Sequence, residues 1–154
     1  MKKVLEIFVD GACSGNPGEA AIGLVFLRDN QKVQEISKSI GEATNNIAEY
    51  TALIYALQEA LIQKAEHVRI YTDSELVYNQ VMGRYKVSHE NMKPLFDQVQ
   101  HLAKGFKTLE IQHIAREKNK EADRLAVKAI KKKQAKMVAP LFDNIGEESP
   151  SSEG

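Results

Sequence analysis

The apolar period of this chain first changes near residue 44, and strands and helices alternate from there, which confines it to an α/β architecture. Residues 3–10 are almost continuously apolar, as in a central strand covered on both faces. Residues 20–27 read as a second strand, and residues 32–40 alternate as a third. Between them lie a Gly/Asn/Pro-rich turn at 11–18 and a polar turn at 28–31, short links that join antiparallel neighbours. From Ile47 to Ile62 the apolar spacing becomes helical (Leu53, Ala56, Leu57, Ala60, Leu61), with Thr44, Asn45 or Asn46 placed to cap the start. Residues 67–72 form a fourth strand, 74–82 a short helix, and 91–104 a helix with Pro94 in its first turn. Residues 108–114 form a fifth strand, and 119 to about 134 a last helix. Strand–helix alternation in this second half requires right-handed crossovers and parallel pairing.

One domain, residues 1–136, holds all of these elements. Residues 137–154 lose the period and end in Gly-Glu-Glu-Ser-Pro-Ser-Ser-Glu-Gly, which marks an acidic, disordered tail. A formal charge of zero argues against nucleic acid only if it is evenly spread, and it is not. Asp143, Glu147, Glu148 and Glu153 stand in a segment without bases, so 17 of the 21 acids face all 21 bases over residues 1–137. That mildly basic body permits phosphate binding. No apolar stretch reaches the roughly 18 residues that span a bilayer, so no membrane role is expected. In Met1-Lys2-Lys3-Val4-Leu5-Glu6 a charge falls where a signal-peptide apolar region would run, and a lone cysteine, Cys13, suits a reducing compartment. A cytoplasmic monomer is the expectation.

Four acids occupy unusual places. Asp10 closes the first strand run and Asp73 the fourth. Both fall at carboxyl ends of parallel strands, the edge where open α/β sheets bind ligands. Glu49 lines up with Ala52, Leu53 and Ala56, and Asp123 with Ala126, Val127 and Ile130, so each points from a helix toward the sheet. Taken singly, each acid reads as a helix cap or a surface charge. Acids on apolar faces nevertheless call for a compensating cation or partner. Should the four meet, hard oxygen ligands converge on a magnesium site.

The segments carrying these acids resemble the motifs of ribonuclease H type I. Asp10-Gly11-Ala12-Cys13-Ser14-Gly15-Asn16-Pro17-Gly18 is similar to the first and Thr44-Asn45-Asn46-Ile47-Ala48-Glu49-Tyr50 to the second. Tyr71-Thr72-Asp73-Ser74 is similar to the third and Asn119-Lys120-Glu121-Ala122-Asp123-Arg124-Leu125-Ala126 to the fourth. The resemblance covers residues 3–135 and implies a ribonuclease H-like fold with a mixed five-stranded sheet of order 3-2-1-4-5. It implies an endonuclease that cuts the RNA strand of an RNA–DNA hybrid, leaving 5′-phosphate and 3′-hydroxyl ends. Asp10, Glu49, Asp73 and Asp123 then hold two Mg²⁺ ions, for which Mn²⁺ substitutes. Gly11, Cys13, Asn16, Thr44, Asn45, Asn46 and Ser74 match positions on the substrate side. Amides there read a 2′-hydroxyl as donor or acceptor. Cys13 itself reads as a small buried side chain rather than a nucleophile.

Two departures from the family pattern stand out. Some members carry a basic, aromatic insertion between the middle helices. Here Arg84, Tyr85 and Lys86, with Lys93 beyond, are the possible hybrid contacts, so weaker and salt-sensitive binding is expected. Members often carry a loop histidine before the last acid. His113 falls within the fifth strand instead, and Arg116 in the following loop resembles the arginine of members lacking that histidine. His67, His89 and His101 show no ligand spacing, and Lys131-Lys132-Lys133 reads as a solvated helix end. Two other functions fit the same departures: a non-catalytic hybrid-binding module, and a related nuclease acting on double-stranded RNA or branched DNA.

Overall fold

A computed structural model describes residues 3–148, with side-chain surroundings for residues 3–137. The elements are β1 (Val4–Gly15), β2 (Gly18–Arg28), β3 (Gln31–Ala43), α1 (Asn45–Ile62), β4 (His67–Thr72), α2 (Glu75–Val81), α3 (Lys93–Ala103), β5 (Thr108–His113) and α4 (Lys120–Glu148). A 3-10 turn over Arg116–Lys118 leads into α4. The strands make one sheet in the order β3-β2-β1-β4-β5. β2 runs antiparallel to β1 and β3, while β4 runs parallel to β1 and β5. The mixed sheet of order 3-2-1-4-5 is therefore the one observed.

Several boundaries differ from expectation for a common reason, that a ladder partner extends a strand beyond its own apolar run. β1 continues through the glycine-rich stretch to Gly15, because Ala12, Cys13 and Ser14 pair with Ala21, Ala20 and Glu19. The turn shrinks to Asn16 and Pro17. At the next hairpin Asp29 and Asn30 both have positive φ, 52° and 63°, as a tight two-residue hairpin turn requires. Thr44 is the residue that caps α1, its hydroxyl accepting from the Ile47 N–H. α4 runs to Glu148, past the end near residue 134 that the loss of apolar spacing predicts. Ala-, Lys- and Gln-rich sequence from 131 to 136 keeps helical propensity without a buried face. Of the tail expected over residues 137–154, the part up to Glu148 is described as a continuation of α4, and residues 149–154 lie outside the described residues.

The pleat of β1 sends Leu5, Ile7 and Val9 to one face, where they meet α1 in the main core. α1 is buried by Tyr50, Ala52, Leu53, Ile54, Ala56, Leu57 and Ala60 because it lies between the sheet and α3. Each fully enclosed Leu or Ile there stabilises the fold by about 1.5–3 kcal/mol. Phe8 goes to the other face, packing with Val25, Ala122 and Leu125 under α4.

Glycines set how closely the two helices approach. A Cβ on Gly11 would stand 2.3 Å from the Ala48 carbonyl, and one on Gly23 2.0 Å from the Ala122 carbonyl. Gly23 is the ladder partner of Asp10. The N-terminal turns of α1 and α4 thus seat backbone-on-backbone, from opposite faces, beside the end of the same strand.

Candidate active site

Four elements deliver the four acids to one place. Asp10 comes from β1, Glu49 from the first turns of α1, Asp73 from the residue after β4, and Asp123 from the start of α4. Carboxylate oxygens of Asp10, Glu49 and Asp73 lie within 4.8 Å of one another. Asp123 lines the same cleft, of about 660 Å³. The Gly11 N–H donates to Glu49 Oε1 at 2.8 Å, which fixes that carboxylate against the strand.

Crowding leaves these acids poorly compensated by the protein itself. Burial, then the charges of Glu49 and Asp73, then Asp123, push the Asp10 carboxyl up to about 9. Burial raises Glu49 to about 8, with Asp73 and Asp123 adding to it, while the Gly11 N–H and Arg116 oppose the rise. Among the described residues no ion pair reaches any of the four acids. A set of hard carboxylate oxygens with excess negative charge suits a small divalent cation and no soft metal.

The expected substrate residues divide into three groups. Gly11, Cys13, Asn45 and Asn46 line the cleft together with Arg116. Cys13 is half-buried rather than enclosed, its thiol 3.0 Å from Asn45 Oδ1. It stays open because β1 overhangs the sheet there. Asn16 and Thr44 line an adjoining hollow of about 210 Å³ with Asn46, His89 and Asn91. Asn16 Oδ1 accepts from the Asn45 N–H at 2.9 Å, which ties hollow to cleft. Ser74 is buried and its hydroxyl caps α2, accepting from the Val77 N–H. Arg84, Tyr85 and Lys86 are exposed in the α2–α3 link, outside the residues lining the cleft. Arg84 stacks over Tyr78, and Tyr78 tilts against His113 at the end of β5.

Two residues to which the sequence reading assigned no role complete the site. Asn119 is buried, and its Nδ2 donates to the Val9 carbonyl at 2.8 Å and to Asp73 Oδ2 at 3.2 Å. It ties the end of β1, the acid after β4 and the start of α4 together. The signal was a polar residue one helical turn before Asp123, legible as a cap but not as a cross-link. Gln134 of α4 donates to Ser14 Oγ at 3.2 Å, closing the far rim of the cleft.

Likeness to known proteins agrees with this geometry. A family model described as reverse transcriptase-like matches residues 8–129. The bifunctional protein Rv2228c of Mycobacterium tuberculosis is 39% identical over 158 residues, covering 100% of this chain and 43% of that protein. The chain therefore spans less than half the length of the mycobacterial relatives it matches. The crystal structure of RNase H1 from the halophilic archaeon Halobacterium salinarum is 36% identical, with a TM-score of 0.82, over 84% of this chain and 98% of that one. LC11-RNase H1, solved in complex with an RNA/DNA hybrid, is 39% identical, with a TM-score of 0.79, over 84% and 99% of the two chains. Sheet order, acid cluster and these likenesses have one conclusion: the chain belongs to the ribonuclease H type I family.

Proposed function

We propose that this chain is a metal-dependent endonuclease that hydrolyses the RNA strand of RNA–DNA hybrids, leaving 5′-phosphate and 3′-hydroxyl ends. The observation that carries the reading is the meeting of Asp10, Glu49 and Asp73, with Asp123 beside them, in one open cleft. These four would hold two Mg²⁺ ions, with Mn²⁺ able to substitute. When bound, the ions supply a water of lowered pKa and neutralise charge on the leaving 3′-oxygen.

The chain's own residues do the rest. Gly11 and Asn119 fix Glu49 and Asp73, so ligand oxygens need little reorganisation on binding. Asp10 and Glu49, raised by burial, give up protons as cations bind. Gly11, Asn45 and Asn46 present small and amide groups along one wall, suited to a 2′-hydroxyl and the phosphates beside it. Arg116 reaches the same cleft and brings a fixed positive charge for the scissile phosphate. The same reading has the protein acting inside the cell as a monomer; among the described residues, no helix is long and apolar enough to cross a membrane.

A labelled hybrid incubated with parent protein and Asp73→Asn, in Mg²⁺ or Mn²⁺ between about pH 6 and 9, tests this. The parent is expected to cut the RNA strand and the variant to leave it intact. A parent inactive in both metals overturns the reading, and preferential cleavage of an RNA or DNA duplex reassigns the substrate.

A further inference from the structure

A second groove runs beside the acidic cleft, and its chemistry is opposite. It lies between β3 and α4, encloses about 520 Å³, and is lined by Lys38, Lys128, Lys132, Lys133 and Lys136. Ser37, Ser39 and Ala129 complete it. Among the described residues, Lys133 alone of these five lysines makes an ion pair, at 3.7 Å to Glu19. Glu19 also faces Ser39 Oγ at 3.5 Å, and Ser37 Oγ donates to the Leu125 carbonyl at 2.6 Å. Lys128, Lys132 and Lys136 are four residues apart, so they form one stripe with about 6 Å between successive positions. Like charges at that spacing repel, a cost that a bound polyanion removes. In the run at 131–133, read from the sequence as a solvated helix end, Lys131 lines the cleft, while Lys132 and Lys133 line the groove.

We propose that this groove grips the phosphate backbone of the bound nucleic acid beyond the cut site, in place of a basic insertion between the middle helices. The proposal rests on the hybrid-cleaving reading of the cleft. Two observations favour nucleic acid over an acidic protein. Cleft and groove share α4, with Val127, Ile130 and Lys131 on one side and Lys128 and Lys132 on the other, so a duplex crossing the acids continues alongside the lysines. Ala129 is the one apolar side chain in the lining, whereas protein interfaces are anchored by buried aromatic and large apolar groups.

The test is hybrid binding in chelator, so that nothing is cut, followed across salt concentration by fluorescence anisotropy. The parent is compared with Lys128→Gln/Lys132→Gln/Lys136→Gln and with Lys64→Gln/Lys104→Gln/Lys107→Gln, which removes equal charge elsewhere. Each lost phosphate contact flattens the plot of log affinity against log salt by about 0.7–0.9, so the groove variant should lose about 2–3 from the slope and the control little. In Mg²⁺ the groove variant's defect should appear in KM and be absent from kcat. Equal slopes for parent and groove variant, or equal losses in the two variants, overturn the proposal and leave the groove to an acidic protein partner. Cleavage by the parent is scored separately, so a failed groove and a failed active-site reading are told apart.

Discussion

Replacing Asp10 with asparagine should stabilise the metal-free protein at neutral pH while abolishing the reaction. Asp10 has an ordinary value of 3.8 and is held near 9 in the fold, chiefly by burial and by the charges of Glu49 and Asp73. A carboxyl raised on folding favours the native state at low pH. That advantage is complete below about pH 4 and is lost as pH rises toward 9. At pH 7 the interval from the unfolded value is about three pH units, or ~4 kcal/mol at 1.36 kcal/mol per unit as a ceiling. Glu49, held near 8, shares part of the same repulsion, so the two penalties overlap. Asparagine keeps the shape and is neutral without having to take up a proton on folding. A net gain of about 2 kcal/mol at pH 7–8, shrinking to nothing near pH 4, is the expectation. Urea denaturation of both proteins in chelator, at four pH values from 4 to 8, reads it directly. Added Mg²⁺ should reverse the order, because the ion stabilises the protein that binds it by mass action. An Asp10→Asn protein less stable than the parent in chelator at pH 8, or an advantage that ignores pH, refutes the reasoning.

Gly23→Ala places a Cβ 2.0 Å from the Ala122 carbonyl, so α4 must shift and carry Asp123 with it. Denaturation should show a loss of about 1–3 kcal/mol, and cleavage assays a fall of roughly 100-fold in kcat. Asn119→Ala leaves the buried Val9 carbonyl without its donor and frees Asp73, costing about 1–3 kcal/mol in the same denaturation assay. Its apparent Mg²⁺ affinity, from titrated cleavage rates, should weaken by about 10–100-fold. Arg116 is exposed, so Arg116→Ala should leave stability within about 0.5 kcal/mol. Its kcat should fall by about tenfold, with partial rescue in Arg116→Lys.

What the sequence discloses depends on how local the determining contact is. The period switch near residue 44 places α1 and β4 within a residue or two, because amphipathic spacing is a property of neighbouring residues. The four acids stand out for a related reason: each occupies a position where its own segment predicts an apolar or ligand-facing side chain. Gly23 could not be read this way. Within its strand it looks like a weak point, and its value lies in a helix backbone about 100 residues later. Asn119 is similar, legible as a cap yet acting through Val9 of β1 and Asp73 just past β4. The extension of β1 to Gly15 likewise depends on pairing with β2, which no local pattern encodes. The lysines at 132 and 133 read as solvent-facing until β3 supplies the opposite wall with Lys38.

The backbone contacts at Gly11 and Gly23 tie chemistry to the order in which this molecule assembles. One acid arrives with the layer above the sheet and another with the layer below, so a chain with a single docked layer lacks one of the cleft's four acids. Turnover in a refolding mixture would therefore count only molecules whose two layers have both closed. Recovery of cleavage should lag behind recovery of helical signal whenever α1 and α4 settle at different times.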